Sequence, residues 1–158
     1  MAGKRKEGRH IFQRFCFFLY AACMLWLLFG QRFGDVDISG YQQQLMTNMN
    51  LQPLATIRLY IRLLSGGYSG TLVRHAFINL AGNVVLFVPL GVFLPGIWPR
   101  MRKFFVFVLT VVAGIIGVEI LQLLTLLGSC DVDDLLLNVA GAALGFGIWK
   151  LFFGRKSK

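Results

Sequence analysis

Residues 104–127 read FFVFVLTVVAGIIGVEILQLLTLL, twenty-four positions with no basic residue, a single acid at Glu119 and a single amide at Gln122. At about 1.5 Å per residue, a helix of this length crosses the roughly 30 Å hydrocarbon core of a bilayer. A helix in water would need a polar stripe along one face, and this stretch has none. It therefore predicts a transmembrane helix. Three other runs share its character, at 11–29, 75–98 and 135–153, and the chain as a whole is 56% hydrophobic and 15% charged. The first run leaves the membrane through Gly30-Gln31-Arg32-Phe33 with no small-x-small cleavage signal, so it reads as an uncleaved span.

The formal charge of +9 does not point to nucleic acid, because the cations flank apolar runs instead of forming one solvated face. Lys4, Arg5, Lys6, Arg9 and Arg14 precede the first span, Arg100, Arg102 and Lys103 separate the second from the third, and Lys150, Arg155, Lys156 and Lys158 close the chain. The other two connections hold only Arg32, Arg58, Arg62 and Arg74, together with Asp35, Asp37, Asp131, Asp133 and Asp134. The excess of cations on one side predicts cytoplasmic N- and C-termini. Trp26, Trp98 and Trp149 then fall near span ends, where aromatic residues favour the interface. The expected fold is an all-α membrane protein, a four-transmembrane-helix bundle in a single domain over 1–158.

Between the first two spans, Leu54, Ile57, Ile61 and Leu64 recur at helical spacing opposite Arg58 and Arg62. The pattern predicts an extracytoplasmic interfacial helix with Pro53 in its first turn and Asn50 as its N-terminal signal, ended by Ser65-Gly66-Gly67. The three cysteines, Cys16, Cys23 and Cys130, lie too far apart in character and place to form a disulfide framework.

Polar residues inside the spans carry the functional reading. An acid at the centre of a lipid-facing helix costs about 3 kcal/mol, so Glu119 should face the bundle or a polar cleft. Gln122 follows three residues later, and the second span offers Asn79 and Asn83 four residues apart, with Gly82 beside them for close helix approach. Asp131, Asp134, Asn138, Gly141 and Gly145 form one stripe if the fourth helix begins early, with Gly141 and Gly145 as its packing face. The candidate site is this cluster of Asn79, Asn83, Glu119, Gln122, Asp131, Asp134 and Asn138. The competing reading treats the same groups as interhelical hydrogen bonds worth about 0.6 kcal/mol each. For Asp133, capping the fourth helix is favoured over a role in the site.

Glu119 and Asp134 are the candidates for acid and base if the cluster is catalytic. Glu119, Asp131 and Asp134 are hard oxygen ligands, but no established spacing accompanies them, and neither a metal nor an organic cofactor is expected. Ser129 and Cys130 have only distant His75 as a histidine partner, which argues against a nucleophilic site. A small solute or ion carrier ranks last, since the four unequal spans show no repeat.

The sequence resembles the VanZ-like family of small membrane proteins, associated with teicoplanin resistance. The resemblance rests on NLQPLATI at 50–57, NLAGN at 79–83 running into LFVPLG at 86–91, Glu119 to Gln122, and DVDDLLLN at 131–138 followed by Gly141. It implies a multi-pass protein of a Gram-positive plasma membrane that lowers susceptibility to lipid-tailed glycopeptides without altering peptidoglycan precursors. The implied partners are the lipid bilayer and a cell-wall precursor or lipoglycopeptide. The family pattern usually carries an arginine before the acidic loop, where this chain has Gly128-Ser129-Cys130, which weakens any anion-binding role for that loop.

Overall fold

The computed structural model describes residues 2–30, 40–67 and 70–154. Arg32, Asp35, Asp37, Arg155, Lys156 and Lys158, used above to orient the chain, lie outside these residues, as do the side chains of Lys4, Arg5, Lys6 and Arg9. Six α-helices are present among the described residues: α1 (Ala2–Phe29), α2 (Tyr41–Thr47), α3 (Ala55–Ser65), α4 (Thr71–Ile97), α5 (Phe104–Leu124) and α6 (Val132–Phe152). Two short strands, β1 (Met49–Asn50) and β2 (Cys130–Asp131), pair in parallel, with Met49 beside Cys130 and Asn50 beside Asp131.

Four of the helices are long and apolar enough to cross a membrane, over His10–Phe29, Thr71–Ile97, Phe104–Leu124 and Val132–Phe152. Their outward faces suit lipid: Phe105 is 87% exposed, Leu109 73% and Leu151 69%, which water would penalise heavily. The third span stops three residues before its apolar run ends. Leu126 takes a left-handed conformation at φ 56° and the Gly128 amide donates to the Gln122 carbonyl at 3.2 Å, so the chain turns and Leu127 is buried under it. The fourth span instead begins early, because Asp131 caps it and lets helix start at Val132.

The bundle is built around α4 and α6, whose backbones touch. A methyl group at Gly91 would collide with the Ala142 carbonyl, one at Gly141 with the Val84 carbonyl, and one at Gly145 with the Val88 carbonyl. The packing face expected of Gly141 and Gly145 is thus the central crossing, matched from the other side by Gly91. Gly82, expected to share that role, is exposed with open space beside it. Around and beyond the crossing, Phe87, Phe107, Val111, Ile115, Ala142, Phe146 and Trp149 form the apolar core. Phe107 and Phe146 meet at 4.8 Å between ring centres, while Glu119 near the end of α5 meets Asp131 at the start of α6, so the two helices run antiparallel.

Trp98 stacks edge-on against Phe17 of α1 at 5.3 Å. Trp149 is buried in the core with the Arg102 guanidinium 5.9 Å from its ring centre, so packing as well as interface preference explains its position. These aromatics mark one end of the bundle; α2, α3 and the strand pair cover the other.

Candidate functional site

At the covered end, the sequence turns three consecutive constraints into one junction. Asp131 ends β2 and caps α6, its Oδ1 accepting from the Asp133 amide at 2.8 Å. Its Oδ2 accepts from the Thr56 hydroxyl at 2.7 Å and from Asn50 Nδ2 at 3.1 Å, and the same Asn50 amide reaches Thr56 Oγ1 at 2.8 Å. One carboxylate therefore serves its own helix and holds the chain entering α3.

Asp133 is fully buried and does not cap its own helix, contrary to the sequence expectation. Its Oδ1 accepts from the Leu54 amide and its Oδ2 from the Ile57 amide at 3.0 Å, so it caps α3, nearly eighty residues earlier in the chain. Leu54 itself lies in the left-handed region at φ 64°, a conformation costly for a residue with a Cβ. Hydrogen bonds to a charged acceptor contribute about 1.5–3 kcal/mol, enough to hold that turn. Helix α3 consequently begins at Ala55, after Pro53 and not through it. Asn50 shapes the approach, its Oδ1 accepting from the Gln52 amide at 3.3 Å, instead of capping the helix. The positive ends of α3 and α6 both point at Asp131 and Asp133 and offset their charge.

Glu119 and Asp134 are engaged more sparingly. Glu119 is 6% exposed, and its Oε2 accepts a long bond of 3.3 Å from the Asp131 amide. Asp134 Oδ1 accepts from Asn83 Nδ2 of α4. Glu119 lies within electrostatic reach of Asp131 and Asp134, so α4, α5 and α6 each deliver a side chain to one place. Asn138 follows Asp134 by one turn on α6, about 6 Å deeper along the axis, and is 4% exposed with its Oδ1 lacking any hydrogen bond.

Two residues of the expected cluster stand apart from it. Gln122 Nε2 donates to the Leu28 carbonyl of α1 at 2.9 Å, away from the carboxylates. Three residues turn a helix by about 300°, so Gln122 sits some 60° around from Glu119 and meets a different neighbour. Asn79 is exposed and donates to the Tyr60 hydroxyl of α3 at 2.9 Å. Asn50, Thr56 and Asp133 are the members that sequence reasoning left out of the site. Asn50 and Thr56 lay in a recognisable stretch, but nothing local in either announces a partner in the acidic loop.

The chemistry available is that of acceptors. The Ser129 and Cys130 side chains make no hydrogen bond to His75. Burial, with the Glu119 and Asp131 carboxylates nearby, pushes the Cys130 thiol up and keeps it protonated at neutral pH, the opposite of an activated nucleophile. Among the described residues, no group of three or more His, Cys, Asp or Glu is arranged to hold a metal ion.

A model of the VanZ/LLP1 family matches residues 17–153, which takes in most of the first span, the other three spans and every residue of the junction. The chain belongs to the VanZ/LLP1 family. No curated protein and no solved structure matches it. In this VanZ/LLP1 chain, NLQPLATI at 50–57 and DVDDLLLN at 131–138, far apart in sequence, are the two halves of the junction, joined by Asp131 and Asp133. NLAGN at 79–83 supplies Asn83 to the second half.

Proposed function

We propose that this chain is an accessory protein of a Gram-positive plasma membrane, with both termini cytoplasmic, that lowers susceptibility to teicoplanin-type glycopeptides. It does so by altering how a lipid-tailed drug reaches the envelope surface, leaving peptidoglycan precursors unchanged. The observation that carries this reading is α3, fastened across the end of the bundle by Asp131 and Asp133. Its exposed positions include Arg58 and Arg62 together with Leu59 and Ile61, both more than half exposed, although Ile61 is expected from the spacing on the face opposite the arginines. A helix that mixes cations with exposed leucine and isoleucine suits the boundary between headgroups and acyl chains, where an acylated drug inserts.

Expression in a susceptible Gram-positive host tests it. Surface binding of a lipid-tailed glycopeptide should fall more than that of a tail-free one, since only the tail gains from burial at about 0.8 kcal/mol per methylene. Equal loss for both drugs contradicts the proposal. Reporter fusions after Lys158 and within 100–103 should read cytoplasmic; an external C-terminus removes its orientation. The convergence of Glu119 and Asp134 favours one alternative, an enzyme on a lipid-linked envelope substrate. Lipid or precursor profiles that change only while both carboxylates are intact would replace the accessory reading with that one.

A further inference from the structure

The four carboxylates at the α3 end divide into two pairs by what is left over once every hydrogen bond is assigned. Both oxygens of Asp131 and both of Asp133 are occupied, by groups of α3, its approach and the α6 cap. Glu119 and Asp134 each accept one bond, leaving Glu119 Oε1 and Asp134 Oδ2 without a hydrogen bond among the described residues. None of the four is ion-paired to a described Lys, Arg or His. Asp134 shares the positive end of α6 with its neighbours, whereas Glu119, near the C-terminal end of α5, has no helix N-terminus to offset its charge.

Asn138 supplies the independent observation. Its side chain is buried on the stripe of α6 that carries Asp134, one turn deeper, and its Oδ1 has no donor. Inside a membrane protein, a buried acceptor left unpaired is expensive, because no bulk water can reach it. Asn138 Oδ1 is thus a fully buried acceptor without a partner, and Glu119 Oε1 and Asp134 Oδ2 are further acceptors that no described group fills, while Asn83 donates one N–H to Asp134. A ligand that fits must bring positive charge and several N–H donors. A primary ammonium has three such donors and no acceptor. A quaternary ammonium has the charge without the donors, and a metal ion needs a tighter ligand group than the described residues provide.

We propose that Glu119, Asp134 and Asn138 form a binding site for a primary ammonium group, taken from an aminophospholipid headgroup or a soluble amine. The inference rests on the reading that this end of the bundle meets the membrane surface.

The full-length protein in phosphatidylglycerol nanodiscs, doped equally with phosphatidylethanolamine or phosphatidylcholine, provides the test, with co-purifying lipid measured by mass spectrometry. The expected result is about tenfold enrichment of phosphatidylethanolamine over phosphatidylcholine, reduced to parity in Glu119→Gln/Asp134→Asn and retained in Asn138→Asp, which keeps an acceptor at that position. Displacement by millimolar ethanolamine assigns the soluble amine as sufficient; resistance to it assigns the lipid, and either supports the site. Equal retention of the two lipids, or a preference that survives the double substitution, overturns it. The melting temperature of the double variant in the same nanodiscs reports its folding, and Gln122→Leu, outside the site, should keep both the fold and the preference. Nanodiscs expose both faces, so an inverted orientation would fail the reporter fusions without affecting this result.

Discussion

The α4–α6 crossing and the α3 junction solve the same problem, holding segments together where water does not help, with opposite materials. At the crossing, Gly91, Gly141 and Gly145 let backbones touch, and stability there comes from dispersion between closely packed backbones. At the junction, contact area is small and carboxylates hold individual amides, so stability resides in a few strong bonds. The first arrangement fails everywhere when one atom is added. The second fails locally, one bond at a time, which suits a surface element that must stay in place without being part of the bundle's core.

That contrast sets the order of expected effects. Gly141→Val should be the most damaging, because its side chain meets the Val84 carbonyl and the helices must separate; a loss of about 3 kcal/mol or more would show as failure to recover folded protein in detergent. Asp133→Ala should cost less in total and act in one place. Trypsin should then cut at Arg58 and Arg62, both exposed on α3, at a rate raised by about tenfold or more, while the four spans stay intact. If the spans unfold together with α3, the junction is part of the core and the contrast disappears. Gln122→Leu should cost about 0.6 kcal/mol, the value of one interhelical bond to the Leu28 carbonyl, measured as a small fall in melting temperature.

The smallest effect concerns Cys130. Its thiol is pushed up by burial and by Glu119 and Asp131, so the reactive thiolate forms at higher pH than that of an ordinary cysteine. The rate of maleimide labelling should therefore rise with pH along a curve displaced to higher pH than that of an exposed cysteine. Glu119→Gln should move the curve part of the way back, since one of the charges opposing the thiolate is gone.

The spans and the central crossing were legible because both depend on local pattern. Insertion reads a contiguous apolar run, and a pair of glycines one turn apart marks a helix face wherever its partner lies. Glu119, Asn83 and Asp134 were legible by their cost, since a membrane helix tolerates them only when they face inward. The junction was less so. Asp133 holds the amides of Leu54 and Ile57, and a backbone N–H looks the same at every residue. The two-residue strands are too short to show alternation, and the left-handed turn at Leu54 carries no glycine or asparagine to announce it. Gln122 was assigned to the wrong neighbour because spacing fixes direction on a helix but not which helix stands there.

The carboxylates divide the labour: Asp131 and Asp133 fasten α3, while Glu119 and Asp134 do not. Hydrogen–deuterium exchange at the Leu54 and Ile57 amides tests it directly. Asp133→Asn should speed exchange at both by about tenfold or more, whereas Glu119→Gln and Asp134→Asn should leave both at the wild-type rate. Equal acceleration by Glu119→Gln would contradict it, because all the carboxylates would then belong to one fastening and none would be left over to bind.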